Sequence, residues 1–248
     1  MKLTVVGSSS RGNCYILHNK FESLIIEAGC TITEILSAIN FETSKVAACI
    51  VSHEHGDHSK CVSSLQAYGI KCCMSKGTFE GIKKVSEQNL HIVRGGEQFT
   101  VGRFVVLPFD THHDCNEPLG YLISHPEIGV MLFAIDTCYL DYTFDGLTNV
   151  MIECNYYEPK LMENVDAGVV HPKVCNHIMR SHMSLQTCIK TLQANKLDKV
   201  NNIILMHLSK DNAIPSMFKN EVELATGKNV VVAEKGLTID INEIPFRE

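Results

Sequence analysis

The apolar positions of the chain fall into short runs rich in Val, Ile and Leu, which are separated by Gly, Asn or Ser. Short runs of this kind, bounded by turn residues, are typical of buried strands. The strands predicted in this way cover residues 3–6, 14–17, 24–27, 46–52, 99–107, 121–124, 130–135, 150–153, 202–206, 230–233 and 237–241.

Patterns with helical spacing lie between some of these strands. They predict helices over residues 33–39, 60–67, 78–85, 160–165, 184–194 and 215–226. Strands dominate the early part of the chain and helices return at intervals. This mixture favours an α/β fold with two packed sheets and helices on their outer faces, a four-layer αββα sandwich. Because no repeat or linker interrupts the sequence, we expect residues 1–248 to form one domain.

Composition narrows the possible classes of protein. The chain has 248 residues, of which 45% are hydrophobic, so that disorder is excluded for most of it. The net charge of -6 disfavours a protein that binds mainly through phosphate-backbone contacts. No apolar run approaches the roughly 18 residues of a membrane span, and no signal-peptide pattern is present. We therefore expect a cytoplasmic protein, in which the eleven cysteines are mostly core residues.

The strongest chemical signal is the segment His53-Glu54-His55-Gly56-Asp57-His58, directly after an apolar strand. Three imidazoles and a carboxylate converge only if the loop folds tightly, which Gly56 is expected to permit. This spacing resembles the H-x-H-x-D-H signature of the metallo-β-lactamase fold.

Three later segments extend the resemblance over nearly the whole chain. His113, in a segment similar to H-D-A-x-x-P-x-G-Y, Asp136 at the end of an apolar run, and His207 after another strand match the family's later ligands. The resemblance implies two divalent ions, zinc or manganese, that share a water molecule and lower its pKa. It assigns His53, His55 and His113 to one ion, Asp57, His58 and His207 to the second, and Asp136 to a bridge between them. Glu27 stands where the family usually has Asp, and it is expected to orient the ligand loop from behind.

Other motifs point to one branch of this superfamily. The segment Gly7-Ser8-Ser9-Ser10-Arg11-Gly12-Asn13 resembles the opening of the YycJ/WalJ group of phosphodiesterases, and residues 152–156, 180–184 and 207–212 resemble its later motifs. In the related tRNase Z enzymes a histidine placed like His182 contacts the scissile phosphate. The resemblance thus implies catalytic roles for His182 and Asp57, with His182 also binding substrate just before a helix whose N-terminus attracts anions.

The acidic, cap-less chain favours a substrate with a single phosphate over a polynucleotide. It resembles the phage anti-Pycsar phosphodiesterases, which implies hydrolysis of 3′,5′-cyclic nucleotides to 5′-monophosphates in the host cytoplasm and evasion of host immunity. The resemblance also implies a homodimer, for which the sequence adds only apolar stretches that look exposed at residues 139–140 and 156–157. Tyr156 or Tyr157 is expected either to stack on the base or to be a packing residue. The alternatives are a YycJ/WalJ-like 5′-exonuclease acting on DNA or RNA, another hydrolase such as a thioesterase, and a non-enzymatic binding module.

Overall fold

The computed structural model describes residues 1–244, which form two seven-stranded sheets. In chain order the strands are β1 (Lys2–Gly7), β2 (Cys14–His18), β3 (Ser23–Ile26), β4 (Val46–Ile50), β5 (Cys72–Met74), β6 (Leu90–Ile92), β7 (Phe99–Val101), β8 (Phe104–Asp110), β9 (Leu119–His125), β10 (Gly129–Ala134), β11 (Leu147–Glu153), β12 (Asn202–Met206), β13 (Asn229–Val232) and β14 (Thr238–Asp240).

Helices cover the outer faces of both sheets. They are α1 (Ile32–Ala38), α2 (Gly56–Ser59), α3 (Val62–Ala67), α4 (Lys76–Gly81), α5 (Glu158–Asp166), α6 (Pro172–Ser181), α7 (Leu185–Ala194) and α8 (Pro215–Thr226), with a 3₁₀ turn at Thr43–Lys45. Among residues 1–244, none of these helices combines the length and the apolar character that crossing a bilayer requires.

The two sheets have the same pattern of strand directions. The first runs β14-β1-β2-β3-β4-β5-β6 and the second runs β13-β12-β11-β10-β9-β8-β7. In each sheet, three antiparallel pairings occupy one side and three parallel pairings the other. In both sheets, the loops that follow the parallel strands therefore lie at the carboxyl ends of those strands.

Side chains alternate between two environments along the central strands. In β2, Tyr15 and Leu17 face the second sheet, whereas Cys14 and Ile16 pack under the helices of the first. In β10, Met131 and Phe133 lie between the sheets, while Leu132 and Ala134 pack under α7 and α8. Because strands buried on both faces separate three apolar layers, the predicted four-layer αββα sandwich is confirmed.

Several predicted elements differ from the structure. The strand predicted over residues 99–107 is the hairpin of β7 and β8, because Gly102 turns the chain with a φ of +56°. The short strands β5 and β6 and the helix α6 were not predicted. The helix predicted over residues 60–67 corresponds to α3, which begins only at Val62. A separate short helix, α2, precedes it and ends at Ser59.

Gly29 supports the loop that carries the histidine cluster. A Cβ atom at Gly29 would lie 1.6 Å from the backbone oxygen of Asp57, while a Cβ atom at Gly56 would meet nothing within 4 Å. Next to it, the Ala28 amide donates to the His58 carbonyl at 2.7 Å. The close approach that requires glycine is therefore at Gly29, and the role predicted for Gly56 is wrong.

We expect Gly29→Ala to destabilise the fold by about 1 to 3 kcal/mol, because the added methyl must displace the Asp57 backbone. Urea unfolding followed by circular dichroism measures this change. The matched control is Gly56→Ala, which should leave the unfolding midpoint nearly unchanged. Equal midpoints for the two variants would contradict the steric argument.

Candidate metal centre

The seven predicted ligands meet at one edge of the two sheets. His53, His55, Asp57 and His58 follow β4 of the first sheet. The second sheet contributes His113 after β8, Asp136 after β10 and His207 after β12. Their ligand atoms form two compact groups, one of His53, His55 and His113 and the other of Asp57, His58, Asp136 and His207.

The first group consists of three imidazoles whose nitrogens face one another. His53 Nε2 and His113 Nε2 each lie 3.1 Å from His55 Nδ1. Burial lowers the pKa of His53 and His113, so both rings favour the neutral form that ligates metals. Neutral nitrogens that converge on one point offer their lone pairs to a cation.

The second group combines two carboxylates with two imidazoles. His58 Nε2 lies 3.1 Å from Asp136 Oδ2, and His207 Nε2 lies 3.8 Å from Asp57 Oδ2. The His207 Nε2 atom is buried without a hydrogen-bond partner among the described residues. Since a buried polar atom ordinarily has a partner, this orphan nitrogen fits a metal ligand.

Asp136 lies between the two groups. Its Oδ2 atom is 3.6 Å from His53 Nε2 and 3.7 Å from His113 Nε2, in addition to its contact with His58. One carboxylate oxygen thus faces nitrogens of both groups. The donor set of imidazoles and carboxylates with one shared acid fits a dinuclear site for divalent cations.

The rings of His53, His58 and His113 are each held from behind by the other ring nitrogen. His53 Nδ1 lies 2.8 Å from Ser52 Oγ, and His113 Nδ1 donates to the Ser181 carbonyl at 3.0 Å. His58 Nδ1 donates to Glu27 Oε2 at 3.2 Å. Such partners fix the tautomer and the orientation of a ligating ring.

Glu27 is fully buried and also accepts a hydrogen bond from the Ser52 amide at 3.1 Å. Burial raises its pKa, and the contacts with His58 and Ser52 act in the opposite direction. Its backbone has a φ of +68°, which places the longer side chain where it reaches both partners. Glu27 therefore has the geometry expected of a residue that orients the ligand loop.

Sequence reasoning missed Glu153, a fully buried acid at the end of β11. Its Oε1 atom lies 2.7 Å from His182 Nδ1 and 3.3 Å from His207 Nδ1, while Oε2 accepts from the Thr137 and Met183 amides. Burial opposes ionisation, yet His182 and His207 hold the pKa of Glu153 below its ordinary value. The available signal was an acid at the end of an apolar strand, in a segment already matched to a family motif.

His182 lies beside the second group, between the end of α6 and the residue that caps α7, Ser184. Its ring stacks on His207 with centroids 5.3 Å apart at 27°. Burial opposes protonation, but the Glu153 carboxylate raises the pKa of His182 above its ordinary value. The structure thus brings His182 to the centre, as the sequence predicts.

Of the expectations about exposed aromatic residues, the one for Tyr156 is wrong and the one for Tyr139 is confirmed. Tyr156 is only 5% exposed and packs against Leu161, Val170 and Cys175, so the prediction that it is exposed is wrong, and a ring covered in this way offers a base little surface. Tyr139 is 44% exposed. The homodimer stays a prediction that rests mainly on resemblance.

Comparison with known proteins agrees with this geometry. Residues 32–208 match the model of the beta-lactamase superfamily domain. The exodeoxyribonuclease WalJ of Streptococcus pneumoniae is 24% identical over 96% of this chain and 91% of its own length.

Two solved structures have the same fold. The metallo-beta-lactamase fold protein YhfI of Bacillus subtilis superposes with a TM-score of 0.75 at 17% identity, covering 96% of this chain and 98% of its own. The short form of human tRNase Z superposes with a TM-score of 0.61 at 12% identity, covering 97% of this chain and 99% of its own.

We expect Glu27→Gln to lower metal affinity about 10- to 100-fold, because an amide cannot accept from both His58 and Ser52 with the same strength. Titration of the metal-free protein with Zn²⁺ against a chromophoric chelator measures the affinity. Glu97→Gln, at an exposed position, is the control. An unchanged affinity for Glu27→Gln would show that His58 does not need this carboxylate.

Proposed function

The chain belongs to the beta-lactamase superfamily, and on this premise we propose that it is a metal-dependent phosphodiesterase that acts on nucleotides. The observation that carries the proposal is the pairing of His182 with the buried Glu153 directly beside the second ligand group. A cationic imidazole at this place favours a substrate that gains negative charge during the reaction.

When bound, two divalent ions supply positive charge for the phosphate and make a water molecule acidic enough to lose a proton near neutral pH. The side chains that would hold them are the seven ligands of the two groups. Imidazole and carboxylate ligands suit zinc and manganese alike.

The remaining roles belong to Glu153 and His182, which lie beside the second group, and to Asp57, which is part of it. Glu153 raises the pKa of His182 and so favours the protonated ring, which can neutralise charge on the phosphate and give a proton to the leaving oxygen. Asp57 keeps 24% of its side chain exposed, which lets its carboxylate accept a hydrogen bond from the attacking water. The products of attack at phosphorus would be a phosphomonoester and a free hydroxyl group.

Charge supports a small cyclic nucleotide as the substrate. The net charge is -6, and α6, which leads to His182, carries Lys173 and Arg180 as its only fixed cations. A nuclease that contacts several phosphates needs a longer cationic track. With a 3′,5′-cyclic substrate, departure of the 3′-oxygen would give a 5′-monophosphate. For this candidate, the biological role proposed is evasion of host immunity that signals through cyclic nucleotides.

A DNA end is the second candidate, because the curated relative WalJ is named an exodeoxyribonuclease and aligns along nearly its full length. We expect the protein loaded with Mn²⁺ or Zn²⁺ to open 3′,5′-cyclic nucleotides faster than it degrades 5′-phosphorylated DNA. Chromatographic analysis of the products measures both reactions. Faster degradation of DNA would favour the second candidate, and failure to cleave either class would contradict the proposed function.

Salt gives an independent reading in the same experiment. A substrate with one phosphate should show a KM that changes little with salt. For a protein that contacts Z phosphates of a duplex, the logarithm of the association constant falls with the logarithm of the salt concentration with a slope near -0.9Z.

We expect His182→Ala to keep its metal but to lose turnover by about 10² to 10³, the usual effect of removing one contact that stabilises developing charge. Steady-state kinetics and metal analysis of the same preparation measure both quantities. His91→Ala, on the edge strand β6, is the control. Loss of metal from the His182 variant would instead indicate a ligand or a structural support.

A further inference from the structure

Two aromatic rings stack on the loops that carry His113 and Asp136. The rings of Tyr139 and His112 have centroids 4.1 Å apart at an angle of 21°. Tyr139 is 44% exposed, so its ring contacts solvent although it also stacks on His112. We refer to these two residues as the rim pair.

Hydrogen bonds hold the rim pair in place from three directions. His112 Nε2 contacts Asp141 Oδ2 at 2.5 Å. The His112 amide donates to Thr137 Oγ1 at 3.1 Å, and the same hydroxyl donates to the Tyr139 carbonyl at 2.7 Å. These bonds position the His112 ring and the backbone of both residues, and the Tyr139 ring is positioned by its stacking on His112.

The Thr137 amide in turn donates to Glu153 Oε2 at 2.8 Å. The carboxylate that holds His182 thus also anchors the loop of the rim pair. A ligand that contacts His182 and the rim pair would meet two groups that are positioned by one buried acid.

The chain places the rim pair within a nucleotide's reach of the metal ligands. His112 directly precedes His113, and Tyr139 follows Asp136 by three residues. A stretch of three residues spans at most about 11 Å. This separation is comparable with the distance from the phosphate of a nucleotide to the far edge of its base.

Exposed, rigid aromatic rings bind planar groups well, because little conformational freedom is lost when a base stacks on them. Tyr142 is similarly exposed, but its ring packs edge-on against Phe109, 5.8 Å away at 69°. This contact ties Tyr142 to the apolar layer under the second sheet. Among residues 1–244, the one aromatic partner of Tyr139 is His112.

We propose that the rim pair is the base-binding platform of the site, with the nucleobase of the substrate stacked on Tyr139 while its phosphate lies at the metal centre. This inference deepens the proposed function and rests on it for the identity of the ligand. It assigns to Tyr139 the stacking role that the buried Tyr156 does not have the exposure to perform.

Equilibrium binding tests the platform without requiring turnover. The probes are adenosine 5′-monophosphate and ribose 5-phosphate, which differ only in the base, and calorimetry with the metal-loaded protein measures both affinities. We expect the nucleotide to bind at least about fivefold more tightly, and Tyr139→Ala to reduce that ratio by about five- to tenfold. Tyr139→Phe, which keeps the ring, should preserve the ratio.

Tyr68→Ala is the matched control, since Tyr68 is 53% exposed and lies at the end of α3, outside the site. Circular dichroism and metal analysis verify that each variant is folded and loaded. Equal affinities of the wild-type protein for the two probes, or a ratio that Tyr139→Ala leaves unchanged, would overturn the platform.

The results for the platform and for the proposed function are separable. Base-dependent binding that is lost in Tyr139→Ala, in a protein that hydrolyses no phosphodiester, would support the platform and contradict the proposed function. If the protein hydrolyses phosphodiesters but binds the two probes with equal affinity, the function would be supported and the platform contradicted.

Discussion

Two fully buried carboxylates, one from each sheet, determine the arrangement of the metal centre. Glu27 follows β3 in the first sheet and holds His58, while Glu153 ends β11 in the second sheet and holds His182 and His207. Each acid also accepts at least one backbone amide from a neighbouring loop. A buried carboxylate is costly unless such donors surround it. The loops must therefore adopt conformations that bring amides and imidazoles to the two acids.

The backbone is locally strained at three residues of these loops. Glu27, Asp136 and His207 have φ angles of +68°, +46° and +54°, a region that side chains other than glycine rarely occupy. Each of them lies within two residues of the end of a strand whose parallel pairing fixes its direction. The rigid sheets can hold these residues in an unfavourable conformation, and the strained turns direct the side chains toward the centre.

The sequence alone predicts that these histidines and acids come together, because they lie in one dense motif and at the ends of strongly apolar strands, where loops of neighbouring strands meet. It does not predict Glu153, since an acid at the end of a strand is usually a solvated residue. It also fails for Tyr156, because whether an aromatic residue faces solvent depends on the helices α5 and α6 that cover it. The hairpin at Gly102 and the strands β5 and β6 were missed because three-residue elements carry too little periodicity.

Both ligand groups combine side chains from the two sheets. His113 of the second sheet joins His53 and His55 of the first, and Asp57 and His58 of the first join Asp136 and His207 of the second. A cation bound by either group would therefore act as a non-covalent crosslink between the two sheets. Because such a ligand favours the folded chain over the unfolded one, the free metal concentration becomes a variable that sets the free energy of unfolding of the whole sandwich.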